Sequence, residues 1–314
     1  MTPSDLAHLL PEARIAAALP DEARIDLIYT AECWIAYARA GAVLARLRQL
    51  FAYGPGRLRP PNALIVAASN NGKSTLLERF RRDHEPPPGA GDGAEAEPIP
   101  VVVVQMPAEP TVARFYTALL DELGAPHRRP VGRGARKSEL ERLALDVLRG
   151  VGTRVLVIDE LHNLLAGRQD ARREFLNLLR YLGNALRIPV VGAGTRDAWL
   201  AIRTDPQLEN RFEPVALPLW EVDVETATLI ASFAALLPLR RPSPDLCRTG
   251  VVRTIVARSG GTIGEILAFV RAAAVASIES GEEAITGRAL DQAAYRGPGE
   301  RRAQLDRDVP RSVA

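Results

Sequence analysis

Lysine is almost missing from this chain of 314 residues: of 40 basic residues, only Lys73 and Lys137 are not arginine. A pool that supplies arginine by default places a lysine where a compact, strongly hydrated charge is needed and a flat guanidinium fork would not fit. Cysteine is as scarce. Cys33 and Cys247 have neither metal-ligand nor disulfide spacing, which excludes a disulfide framework and fits a reducing cytoplasm. No apolar stretch approaches the roughly 20 residues that cross a bilayer, and no basic-then-apolar leader opens the chain, so a soluble, cytoplasmic protein without a membrane partner is expected. An Asn-Lys-x-Asp guanine-reading segment is absent as well. The formal net charge of +2 neither demands nor excludes a nucleic-acid partner, so local charge has to decide.

Lys73 stands in Ser69-Asn70-Asn71-Gly72-Lys73-Ser74-Thr75, directly after the apolar run Ala63-Leu64-Ile65-Val66. A strand, a turn ending in Gly-Lys-Ser and an amphipathic helix together describe a phosphate-binding loop. Backbone N–H groups from Ser69 to Thr75 would cradle phosphates, Lys73 would reach the β and γ oxygens, and the Ser74 hydroxyl would ligate Mg²⁺. The first glycine of the usual pattern is Ala67 here. If that position must be left-handed, alanine costs about 1–2 kcal/mol. A second motif, Val155-Leu156-Val157-Ile158-Asp159-Glu160, is an apolar strand ending in two adjacent carboxylates. Buried parallel strands read this way, and ligands sit beyond their carboxyl ends. Asp159 would face Mg²⁺, and Glu160 would polarise a water for attack on a γ-phosphate. Acidic capping of a following helix is the competing reading of the pair, but the upstream loop makes the two motifs together point to an ATPase of the AAA+ kind.

Val101–Val104, Ile188–Ala193 and a short run near Val215–Leu217 supply three further strands, with helical patterns between them, so a five-stranded parallel sheet covered on both faces is expected. Residues 1–54 read as an N-terminal helical segment, with Val43, Leu44, Leu47, Leu50 and Phe51 at helical spacing. Gly54-Pro55-Gly56 ends it, 55–220 is the nucleotide-binding α/β domain, 221–296 a helical lid and 297–314 a flexible tail. Residues 85–98, rich in proline and acids, read as an inserted loop.

Thr195 follows the fourth strand, where its hydroxyl could hold the attacking water or read the γ-phosphate; capping the next helix is its plainer role. Arg211, just before the fifth strand, is the candidate arginine finger for a neighbouring subunit's site, with Arg196 and Arg203 as competitors. The segment 127–137 carries Arg128, Arg129, Arg133, Arg136 and Lys137 and no acid. Such a loop suits contacts to DNA phosphates, and suits a solvated surface equally.

The strings Ala63-Leu64-Ile65-Val66 with Asn70-Asn71-Gly72-Lys73, Asp159-Glu160-Leu161-His162-Asn163-Leu164-Leu165, Gly192-Ala193-Gly194-Thr195-Arg196 and Gly260-Gly261-Thr262-Ile263-Gly264-Glu265-Ile266 occur in that order. Together they closely resemble the TniB family, AAA+ ATPases of bacterial transposons related to the TnsC regulators, over about Arg24 to Tyr295. The resemblance implies an ATP- and Mg²⁺-dependent regulator of transposition in the bacterial cytoplasm. Such a regulator assembles on double-stranded DNA as a ring or helical filament with ATP between subunits. It recruits or activates a DDE transposase, with a TniQ-like target-selection protein as a further partner, and does not itself cut DNA. Two other readings stay open: an ATP-driven loader or remodeller of another protein without direct DNA binding, and a nucleotide-binding scaffold that never turns over.

Overall fold

A computed structural model describes residues 6–32, 34–87, 97–126 and 135–308. The chain divides into two compact units, Arg39–Pro218 and Met1–Ala38 with Leu219–Ala314.

The first unit opens with α3 (Ala38–Tyr53), which follows α1 (Pro11–Ala16) and α2 (Asp21–Thr30) of the other unit. Its order is then β1 (Asn62–Ala67), α4 (Lys73–Arg82), β2 (Val101–Gln105), α5 (Val112–Glu122), α6 (Ala135–Gly150), β3 (Val155–Asp159) and α7 (Gln169–Leu186). It closes with β4 (Val190–Gly194), α8 (Arg196–Ile202), α9 (Pro206–Glu209) and β5 (Phe212–Leu217). The five strands form one sheet in the order β2-β3-β4-β1-β5, with every neighbouring pair parallel. β3 and β4 are buried at every position, as the unbroken apolar runs demand of central parallel strands. β5 alternates between buried ends and exposed middle positions and tolerates Pro214, which has no N–H to donate, because it lies at the sheet's edge. The chain leaves β1, passes over two strand positions to β2, and returns through β3 and β4 to β1's flank. That return places the carboxyl ends of β1, β3 and β4 side by side, which is where such sheets bind ligands.

The expected strands are all present, each shifted by a few residues at most. The unit boundary falls at 38/39, where the sequence reading put it at 54/55, because the apolar stripe of α3 (Val43, Leu44, Leu47 and Leu50) is buried within the sheet unit. Residues 135–137 correct the loop expected over 127–137: they are the first turn of α6, since Ser138 to Leu148 continue with strong helix formers at helical spacing. The remainder of that loop, with Arg128, Arg129 and Arg133, and most of the acidic insert lie outside the described residues.

The second unit contains α1 and α2 with α10 (Val224–Ala234), α11 (Thr249–Ser259), α12 (Ile263–Glu279), α13 (Gly287–Gln292) and α14 (Pro298–Asp308). Alanine-rich α12 buries one side chain after another and is its axis, with Ile28, Trp220, Phe233 and Phe269 in the surrounding core. The stretch expected as a tail carries α14, with no buried residue; Arg301 pairs with Glu265 at 2.5 Å, and Arg258 pairs with Glu300 at 3.1 Å. No single helix among the described residues is long and apolar enough to cross a membrane.

Candidate functional site

The loop after β1 and the turn after β3 meet at the carboxyl end of the sheet. Gly72 is the N-cap of α4 at φ 81°, a left-handed conformation that glycine adopts without Cβ strain, and Asn70 adopts a similar φ of 58°. Ala67 is the last residue of β1 and does not appear among the non-glycine residues with positive φ. The missing first glycine therefore carries none of the backbone cost considered from the sequence.

Lys73 begins α4 and is 5% exposed; its ammonium donates to the carbonyls of Ala67 at 3.4 Å and Ala68 at 3.0 Å. Those partners hold a donor-only group over its own loop, beside the first N–H groups of α4, which have no intrahelical acceptor. The combination of free N–H groups, helix dipole and an anchored cation is an anion cradle. Asn71, read from the sequence as part of that cradle, turns its side chain elsewhere. Its amide donates to Leu217 O at 3.0 Å and Pro218 O at 3.1 Å. The side chain ties the loop to the end of β5. Asn71→Ala removes both bonds and leaves the buried Leu217 carbonyl without this donor, and is expected to lower the stability of this unit by about 1–3 kcal/mol, measurable by chemical denaturation.

Ser74 and Asp159 are 85 residues apart in sequence, yet the Ser74 hydroxyl donates to Asp159 Oδ2 at 2.6 Å. The other Asp159 oxygen accepts from the Glu160 N–H at 2.7 Å. A hydroxyl and a buried carboxylate set side by side are the hard oxygen donors that Mg²⁺ takes when phosphates and water complete its shell. Among the described residues no cluster of three or more His, Cys, Asp or Glu could hold a metal ion. Glu160 leaves the strand in a left-handed conformation, φ 54° and ψ 36°, that turns the chain abruptly into the 3-10 segment Leu161–Ala166. For a non-glycine residue this is strained, and such strain gathers at functional sites. Leu161 and Leu164 are buried beneath that segment, and Asn163 donates to Met106 O at 3.0 Å, which pins the turn to the chain leaving β2.

Thr195 is the N-cap of α8, but its side chain makes no capping bond, and its hydroxyl is buried without a partner. The plainer capping role is therefore not what this geometry contains. Arg211 lies elsewhere. It precedes β5 at the amino end of the parallel sheet, where its carbonyl accepts from Asn62 N, and its guanidinium donates to Asn184 at 3.1 Å. It stands across the length of the strands from Lys73, which follows the carboxyl end of β1. Among its competitors, Arg203 is paired with Glu209 at 3.0 Å. Lys137 is ion-paired with Glu174.

The model of the family described as "Bacterial TniB protein" matches residues 24–222. The chain belongs to the TniB family. The matched span contains the phosphate loop, the Asp159-Glu160 turn and the Gly192–Arg196 strand end, and ends before the Gly260–Ile266 string. This TniB-family chain is also similar to the chaperone protein ClpB of Chlamydia pneumoniae, 30% identical over 182 residues, and to ClpB of Meiothermus ruber, 31% identical over 84 residues. These stretches are 56% and 26% of the chain, but only 20% and 10% of the relatives' length. Among solved structures it resembles Aeropyrum pernix ORC1 in complex with DNA, with a TM-score of 0.63 at 18% identity, covering 91% of this chain and 70% of that one. Drosophila ORC bound to DNA gives 0.57 at 14% identity, covering 89% and 66%. At such identities the likeness establishes the fold, which is that of the P-loop AAA+ proteins.

Proposed function

We propose that this TniB-family chain is an ATPase that binds double-stranded DNA without reading its sequence and regulates transposition. The observation that carries the reading is the meeting of Lys73, Ser74, Asp159 and Glu160 at one end of the sheet, with the Ser74–Asp159 hydrogen bond closing the set. The loop and the N-terminus of α4 bind and orient the phosphates of ATP, and Lys73 neutralises the β and γ oxygens. Ser74 and Asp159 would hold Mg²⁺, which supplies charge stabilisation at those oxygens when bound. Glu160 orients a water and accepts its proton, and the unpartnered Thr195 hydroxyl holds either that water or a γ-phosphate oxygen. Arg211, at the opposite end of the sheet, is suited to a second copy's nucleotide, which makes turnover depend on assembly into a ring or filament.

DNA binding is supported by the family and by the similar ORC structures, which hold DNA. The basic segment 127–137 supplies the phosphate contacts in this reading, with Arg128, Arg129, Arg133 and Arg136 as their bearers and Lys137 once released from Glu174. A DDE transposase and a TniQ-like protein are the partners that the family adds. The ClpB similarity favours a second reading, a remodeller of another protein without DNA contact. Binding to random-sequence duplex DNA across a salt series separates the two. Tight binding only with a slowly hydrolysed ATP analogue, abolished in Lys73→Ala, and a log–log salt slope of about −4 to −5 for five neutralised phosphates are expected. Replacing the five basic residues with alanine should flatten that slope. No DNA binding with any nucleotide would move the assignment to the remodeller.

A further inference from the structure

The turn after β3 contains a side chain that the scheme above leaves without a task. His162 Nε2 lies 3.1 Å from Glu160 Oε2, within ion-pair distance, and because a carboxylate only accepts, a proton shared between them is the imidazole's to give. The other ring nitrogen, Nδ1, is buried and has no hydrogen-bond partner. A histidine kept for packing alone would satisfy or expose both nitrogens, since an orphaned buried acceptor is costly. His162 instead spends one nitrogen on Glu160 and leaves the other open.

Its position is tightly fixed. A Cβ on Gly194 would stand 2.8 Å from the Cβ of Ala198, which is what requires glycine at the end of β4, and 3.3 Å from His162 N and 3.4 Å from its Nδ1, so the histidine packs directly against that strand end. The next residue is Thr195, whose buried hydroxyl is likewise without a partner. Two orphaned polar atoms thus flank the end of β4, one on the group that would touch the γ-phosphate and one on the group that touches Glu160. On either side of His162, Leu161 is buried and Asn163 is bonded to Met106, so the ring is held from a rigid turn.

We infer that His162 is the positioning residue of Glu160: it holds Oε2 and leaves Oε1 to accept the proton of the attacking water. The inference deepens the assignment of Glu160 as base and rests on it. Glu160 is left-handed on a strained turn, and among the described residues its carboxylate has no other partner, so its direction depends on the imidazole. Glutamine at 162 retains an N–H donor within reach of Oε2; alanine does not.

The test is steady-state ATP turnover by the full chain in the presence of duplex DNA, with nucleotide affinity and thermal midpoint measured alongside. His162→Ala should lower kcat by about 10- to 100-fold with KM, affinity and midpoint little changed, as expected when a reacting group is misplaced without loss of binding. His162→Gln should recover most of that loss. A kcat for His162→Ala close to wild type, a loss carried by KM or by the thermal midpoint, or a His162→Gln no better than alanine would each overturn the inference. Glu160→Gln in the same assay separates the two levels. Normal turnover in that variant overturns the base assignment and this inference with it, whereas inactive Glu160→Gln beside unaffected His162→Ala overturns the role of His162 alone.

Discussion

Glu160→Gln should bind ATP as tightly as the wild-type chain and turn it over about 10²- to 10⁴-fold more slowly, the range that a positioned base contributes. The expectation follows from what the substitution leaves intact. In the proposed reading Lys73, the N–H groups of α4 and the Ser74–Asp159 pair would hold the phosphates, and none of them depends on the Glu160 carboxylate; Asp159 accepts from the Glu160 backbone N–H, which glutamine keeps. Glutamine has nearly the volume of glutamate and can still accept from His162 Nε2 through its carbonyl, so the turn should stand. What it cannot do is accept a proton from water. The variant should therefore be caught in its ATP-bound form, and ATP-dependent DNA binding should persist through incubations in which the wild type hydrolyses its nucleotide and lets go. Phosphate release and DNA retention measured on the same sample check both halves. Undiminished phosphate release would remove Glu160 from the chemistry, and loss of nucleotide affinity would make it a binding residue.

The parts of this site that could be read in advance are those written in contiguous residues. Val155 to Asp159 had to be a buried strand because nothing polar interrupts it, and Gly72-Lys73-Ser74 had to open a helix because β-rich apolar sequence precedes it and an amphipathic pattern follows. The missed features are long-range. Nothing near Asn71 announces that its amide meets the carbonyls of Leu217 and Pro218, 146 and 147 residues away. Ala67 looked like a defect because the sequence pattern counts glycines without φ angles; in β1 the residue is extended, and the left-handed positions are Asn70 and Gly72. In the sequence His162 is only one letter of a family string, and its approach to the Glu160 carboxylate two residues back depends on the turn between them, which no spacing rule announces. The division of the chain was hidden for a similar reason. Residues before 39 look continuous with α3, and long-range contacts, among them one spanning 259 positions from Arg24 to Glu283, reveal that they fold with the C-terminal helices.

That contact predicts the largest effect on stability. Arg24, in α2, is fully buried and grips Glu283 through both carboxylate oxygens, at 2.6 and 2.8 Å, while also donating to Pro238 O at 2.9 Å and to Asp21 at 2.7 Å. Glu283 sits at φ 59°, a left-handed strain for a non-glycine residue, and also receives the Arg240 N–H at 3.1 Å. Burial alone would push the Glu283 carboxyl up; the guanidinium of Arg24 and the Arg240 N–H outweigh it and hold it below the usual value. Arg24→Met keeps the bulk of the stem but leaves a buried carboxylate with one flanking arginine, and breaking a buried pair in this way costs about 3–5 kcal/mol. The pH dependence should change sign. In the wild type a depressed carboxyl contributes stability above its unfolded pKa of about 4.3, and that contribution is lost as pH falls through the lower folded value. In Arg24→Met burial dominates and the folded pKa rises, so the carboxylate destabilises more as pH climbs through it, and the deficit against wild type should be smallest in acid. Trp34 and Trp220 belong to this unit and Trp199 to the other, so denaturation followed by fluorescence on a Trp199→Phe background reports the helical unit. Pairing Arg24→Met with Glu283→Leu should return much of the lost stability, since an apolar replacement of the whole pair removes the unpaired charge. A double variant as unstable as Arg24→Met alone would instead assign the effect to the packing of the arginine stem and its bond to Pro238.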